Sequence, residues 1–163
     1  MKRLLAALFL LHLGAGQAQA ETKDHATASY MEICGGCHGL HGRSVQLLVP
    51  QLHDQVGYLL CTPEGRDYAI RLPNVAFARL SDEDLAHLMN YVMFSIGGSS
   101  APSDAKRYSA EEVGRLRREP LTVTDLKARR RRVVDGLIER CGGAAILLDY
   151  QRAAEDRSKL PSQ

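Results

Sequence analysis

The chain has 163 residues, 21 of them Lys or Arg and 19 Asp or Glu, for a formal charge of +2. Residues 1–20 carry +2, residues 21–100 carry −4 and residues 101–163 carry +4, which excludes a uniformly basic nucleic-acid binder. At 45% hydrophobic and 25% charged the chain is globular in composition rather than disordered, and it lacks Trp, so something other than large aromatic side chains must fill the core.

Lys2 and Arg3 precede an apolar run, Leu4–Leu13, and a small-residue stretch ending Ala18-Gln19-Ala20. This is the layout of a secretory signal peptide with an Ala-x-Ala cleavage site. The run is well short of the roughly 20 residues that cross a bilayer, and charges interrupt every later apolar run. The expectation is a mature chain starting near Glu21, without a transmembrane span, exported to the bacterial periplasm.

Residues 25–34 can form a short helix, which leads into Cys34-Gly35-Gly36-Cys37-His38. Cys-x-x-Cys-His is the haem c attachment pattern: two thiols reach the two vinyl groups of one porphyrin, and the adjacent histidine ligates the iron from the proximal side. The two intervening glycines are expected to let the backbone turn tightly. A thioredoxin-like site would want a βαβ context, which is missing. A zinc knuckle would want a second close Cys/His pair, which neither Cys61 nor Cys141 supplies.

Further along, Thr62-Pro63 is an N-cap and N1 pair for a short helix to about Ile70. Ser81, with Asp84 three residues on, forms a capping box for a third helix that Gly97-Gly98 ends. Leu85, Leu88, Met89, Val92 and Ile96 share one apolar face of it.

Pro50-Gln51-Leu52-His53, twelve residues beyond His38, together with Ser81 through Tyr91-Val92, resembles the class I, mitochondrial-type cytochromes c over about residues 25–98. The resemblance implies an all-α fold around one covalently bound haem, with the closing helix crossing the N-terminal helix near Tyr91. It also implies that the Pro50 carbonyl accepts a hydrogen bond from His38 Nδ1, fixing its tautomer.

The family's methionine ligand has no counterpart. Asn74 falls in its slot, and residues 39–88 contain no Met. Met93 and Met89 on the closing helix are the thioether candidates. The alternatives are another residue, a rearranged loop, or a vacant or water-occupied site. His53 matches a non-ligand position, His41 is too near the motif to reach the far face, His87 reads as solvated, and Met31 reads as core.

Residues 99–108 read as a linker, residues 109–150 as a helical C-terminal arm outside the cytochrome domain of residues 21–98, and residues 151–163 as a disordered tail. Ser109 and Glu112 form a second capping box. A longer helix from Thr122 or Thr124 to Arg140 carries the stripe Val133, Val134, Leu137, Ile138 and Cys141. Arg129, Arg130, Arg131 and Arg132 form either a docking surface for an acidic redox partner or a solvated face that offsets the acidic segment. Cys61 and Cys141 either pair with each other, stay as thiols or bridge to another chain.

The leading functional expectation is an electron carrier, not an enzyme: one haem c per chain, anchored by Cys34 and Cys37, ligated by His38 and oriented through Pro50, exchanging electrons with redox partner proteins. The alternatives are a haem-based small-ligand sensor, a peroxide-reacting haem protein with an open distal site, and the haem subunit of a dehydrogenase complex.

Overall fold

A computed structural model describes residues 24–44, 49–122, 124 and 126–158. The signal-peptide reading, on residues 1–20, lies outside the described residues. Every regular element among the described residues is helical, and no helix there is long and apolar enough to cross a membrane.

Helix α1 spans residues 24–33 and turns Ala26 and Tyr30, four positions apart on one face, into the core. Met31 lies about 100° further round the helix and is 52% exposed, which corrects its expected place in the core. Helix α2, Gly35–His38, is a single turn. A 3-10 turn at Val56–Cys61 leads into α3, Pro63–Arg71, where Thr62 Oγ1 accepts from Gly65 N at 3.0 Å and Pro63 fills the first turn. Leu72 is extended because a proline follows it, and Pro73–Ala76 forms the short α4.

Helix α5, Asp82–Asn90, continues into a wider π-helical turn at Tyr91–Ile96, closed by Gly97 N bonding to Val92 O at 2.9 Å. A wider turn needs more residues per revolution. Met89 and Met93, four apart, therefore stay on one face, and both are buried. The Tyr30 and Tyr91 rings meet at 5.8 Å with a 58° tilt, so α1 touches the closing helix at the aromatic that the resemblance named. Leu85, Leu88, Met89, Val92 and Ile96 all lie in the main core with Tyr30, Ile70, Val113 and Leu116.

Val113 and Leu116 belong to α6, Ala110–Arg117, so the C-terminal third shares the main core instead of standing apart as an arm. The segment expected as a linker is likewise fastened. Asn90 Nδ2 donates to Tyr108 O at 2.9 Å, Tyr108 N donates to Asn90 Oδ1 at 2.7 Å, and the buried Tyr108 donates its hydroxyl to Arg66 O. The Arg66 guanidinium lies 4.0 Å above the Tyr108 ring and forms two hydrogen bonds to the Glu112 carboxylate, at 2.6 and 2.7 Å. Ser109 Oγ accepts from Glu112 N at 3.1 Å, but Arg66 takes the Glu112 carboxylate, leaving the expected capping box half made. At Ser81, similarly, Asp84 accepts from the serine hydroxyl at 2.6 Å.

Helix α7, Leu126–Arg140, a 3-10 turn at Gly142–Leu148 and α8, Asp149–Ser158, complete the chain. The tail expected to be disordered from residue 151 is thus helical to Ser158. Val133, Val134 and Leu137 form a second core with Tyr68, Ala144 and Leu147. A disulfide joins Cys61 to Cys141, 80 positions apart in sequence with Cα atoms 6.3 Å apart, tying that core to α3 and its preceding turn.

Two stability outcomes follow from these ties. The Arg66 hydrogen bonds hold the Glu112 carboxyl below its usual value of 4.5. The unfolded chain therefore takes up that proton first, and stability from the pair is complete above the usual value and lost as pH falls through the lower folded one. Glu112→Gln is expected to lower the urea midpoint at neutral pH and to flatten part of its acid decline. The double variant Cys61→Ser, Cys141→Ser is expected to lose about 2–4 kcal/mol, read from denaturant unfolding.

Candidate functional site

The site starts at the end of α1. Cys34 N bonds to Tyr30 O at 2.9 Å, and α2 then turns so that His38 N and Cys37 N both bond to Cys34 O. Residues i, i+3 and i+4 of one helical turn share a face, which places Cys34, Cys37 and His38 on one side. Both cysteines are free thiols, Cys34 half-buried and Cys37 exposed. Burial, and then the neighbouring Cys37, push the Cys34 thiol up to about 11. Disulfide oxidoreductases have the opposite shift, a thiolate at neutral pH.

The glycines that matter are not the expected pair. Gly35 and Gly36 are helical, and no protein atom lies within 4 Å of a Cβ added to Gly36. Gly39 (φ 75°) and Gly42 (φ 73°) instead occupy the left-handed region, where a Cβ would meet Arg43 O at 2.5 Å or Ile96 at 2.4 Å. The buried Tyr30 hydroxyl donates to Gly39 O at 2.7 Å, and Gly42 O accepts from Leu52 N and His53 N. The chain is thereby folded back so that Pro50 reaches the motif.

His38 Nδ1 donates to Pro50 O at 3.0 Å. That assignment leaves the Nε2 lone pair available for a metal. Burial lowers the His38 pKa, partly opposed by the Pro50 bond, which keeps the imidazole neutral as ligation requires.

Next to this group opens a cavity of about 370 Å³, within the size range of cofactor sites. Cys34, His38, Pro50 and Leu52 line it, as do Tyr68 and Leu72 of the α3 region, Asn74 and Val75 of α4, and Met89, Val92 and Met93 of the closing helix. Both thioether candidates therefore face it, along with the residue in the methionine slot. Of the histidines among the described residues, only His38 is in the lining. His53 is held between Arg43 at 2.8 Å and Asp54 at 2.9 Å, His41 is exposed, and His87 faces Glu83 at 3.9 Å on a partly exposed helix face.

Sequence reasoning missed the contribution of the C-terminal helices: Leu126, Lys127, Arg130, Leu147 and Tyr150 complete the cavity wall. A signal was available, because Arg130 stands three residues before Val133 and seven before Leu137, on the buried stripe of α7. The four-arginine run consequently does not form one docking patch. Arg129 pairs with Glu64 at 2.9 Å, Arg130 points inward, and Arg131 pairs with Asp135 at 3.1 Å. Arg117 of α6 also acts near the site. It donates to Ala76 O, Ala78 O and Leu80 O and meets Asp82 at 3.1 Å, pinning the segment between Asn74 and the closing helix.

The chain belongs to the c-type cytochromes, a family that carries covalently bound haem c. It is 30% identical over 151 aligned positions to a cytochrome c-552 of Thermus thermophilus, covering 82% of this chain and 98% of that protein. A second cytochrome c-552 of the same species is 27% identical over 118 positions, covering 61% of this chain and 90% of its own length. The first match is too long to be held within residues 1–98, so the likeness extends into the C-terminal third. No family model matches the chain, and no solved structure matches it. The site fits the family's cofactor: two unbridged thiols one helical turn apart, an imidazole of fixed tautomer, and a largely apolar cavity beside them.

Arg117→Ala leaves three carbonyls without their donor. It is expected to cost at least about 2 kcal/mol in denaturant unfolding and to speed amide hydrogen exchange across residues 76–82 more than in α3.

Proposed function

We propose that the chain is an exported, monohaem class I cytochrome c that carries single electrons between redox partner proteins of the periplasm. The observation that carries this reading is the His38 Nδ1 to Pro50 O hydrogen bond at 3.0 Å, made beside two free cysteine thiols at the mouth of an apolar cavity.

Each residue has a defined task. Cys34 and Cys37 would hold the haem, one thioether from each thiol. His38 offers Nε2 to the iron, while Pro50 holds the imidazole orientation and raises its basicity. The bound haem supplies a reversible Fe(III)/Fe(II) couple. Leu52, Leu72, Val75 and Val92 would exclude water around it, and Met89 and Met93 are the thioethers that line the same cavity. The disulfide between Cys61 and Cys141 suits an oxidising compartment, in keeping with the signal-peptide pattern of residues 1–20.

Potentiometric titration of the purified exported protein tests this reading, with His38→Gly as the site variant. The expected result is one reversible one-electron transition with a reduced c-type spectrum that CO leaves unchanged, and loss of that transition in the variant. A wild-type protein with no redox transition would overturn the electron-carrier reading. Full conversion of the ferrous spectrum by CO would move the function to small-ligand binding, the direction in which Asn74 points.

A further inference from the structure

Helix α7, the 3-10 turn at Gly142–Leu148 and α8 form a layer that closes one side of the cavity, through Leu126, Lys127, Arg130, Leu147 and Tyr150. Its hold on the rest of the molecule is narrow. Outside the layer, α7 packs chiefly on α3 and on the 3-10 turn at Val56–Cys61. Of the buried side chains in the second core, Val133, Val134, Leu137, Ala144 and Leu147 belong to the layer itself, and Tyr68 comes from α3. The ion pair of Arg129 with Glu64 lies at the surface, where such pairs contribute little. The main core takes no residue beyond Leu116, so it does not need the layer to stay packed. The covalent bond between Cys61 and Cys141 is therefore a principal fastener of this wall.

That bond is also within reach of solution. Cys61 ends the 3-10 turn, Cys141 follows the last residue of α7, and neither is fully buried. Both line a second cleft, of about 410 Å³, whose walls include the charged side chains Asp104, Glu139 and Arg140. The fastener thus sits in a polar surface cleft at one end of α7, while Leu126 and Arg130 line the haem cavity from the other end.

We propose that Cys61–Cys141 is a thiol-exchange site, and that its reduction by a dithiol releases the C-terminal layer and opens the haem cavity. The proposal rests on the haem reading above and adds a control on it. One thiolate of the dithiol attacks a disulfide sulfur, forming a mixed disulfide and freeing one cysteine. The second thiol then closes onto the first and frees the other cysteine. The dithiol leaves as a disulfide, having given up two electrons and two protons, and Cys61 and Cys141 each end as a thiol. Release of the layer admits water to the haem. Ferric haem carries one more positive charge than ferrous haem, and water stabilises the more charged form. The open protein is therefore a poorer electron acceptor than the closed one.

The experiment treats the native, haem-loaded exported protein with dithiothreitol at neutral pH, blocks the new thiols with iodoacetamide and removes both reagents. Intact and peptide masses are expected to show two added blocking groups, on Cys61 and Cys141. The midpoint potential is expected to fall below that of the untreated protein. Amide hydrogen exchange is expected to quicken across residues 126–150 and to stay unchanged across α5. The double variant Cys61→Ser, Cys141→Ser is expected to have the lowered potential without treatment and to ignore dithiothreitol.

A bond that dithiothreitol reduces only after the protein is unfolded in urea would overturn the exchange site. Reduction with potential and exchange superimposable on the untreated protein would overturn the opening. Exchange that quickens equally in α5 and α7 would also overturn it, because the bond would then stabilise the whole fold and not one wall. If the double variant fails to mature, the treated wild type decides alone. Absence of covalent haem from wild type instead overturns the functional reading, and it is seen in the first mass spectrum.

Discussion

One hydrogen bond sets the geometry on which the rest of the molecule depends: the His38 imidazole donating to the Pro50 carbonyl at 3.0 Å. Much of the backbone between those residues serves it. Gly39 and Gly42 fold the chain back, Tyr30 holds Gly39 from the α1 side, and Gly42 O collects two amides from the stretch of chain that follows Pro50. With the imidazole fixed, the thiols of the same helical turn face an apolar cavity. Covering the largely apolar walls of this cavity of about 370 Å³ removes apolar surface from water, so a marginally stable fold depends in part on the occupant. A chain without tryptophan, enclosing a planar cofactor, is consistent with that dependence.

The C-terminal third belongs to the same physical unit. It supplies Tyr108, Val113 and Leu116 to the main core, a second core behind α3, and part of the cavity wall. The charge asymmetry between the acidic and basic segments is partly resolved inside the molecule: Arg117 meets Asp82, and Arg129 meets Glu64. The segment that reads as a basic surface in sequence thus acts in part as a set of internal clamps. Arg130 is the exception, set in the cavity wall with its guanidinium on Leu147 O.

The parts of this arrangement legible in the sequence were those governed by local rules. The Cys34 to His38 spacing, the caps at Thr62, Ser81 and Ser109, and the apolar stripe from Leu85 to Ile96 each depend on residues within a turn or two of one another, and each has a counterpart in the fold. The Pro50 contact was legible only through resemblance, because donor and acceptor lie twelve positions apart in sequence. What stayed hidden was long-range partnering. Arg66 takes the carboxylate that would have completed a capping box, and Asn90 holds a segment that reads as linker, while the Cys61–Cys141 pairing, one of three options in sequence, is decided only by the approach of residues 80 positions apart. Arg130 was hidden for a different reason: within a run of four arginines, composition masks the one whose helical register faces inward.

The central claim, that the cavity beside His38 holds one haem bonded to Cys34 and Cys37, is tested most directly by the intact mass of the exported protein under denaturing conditions. The account predicts the chain from Glu21 plus the mass of one haem, with the adduct confined to the peptide containing Cys34 and Cys37. A protein of bare polypeptide mass, or one whose haem dissociates on denaturation, would contradict it.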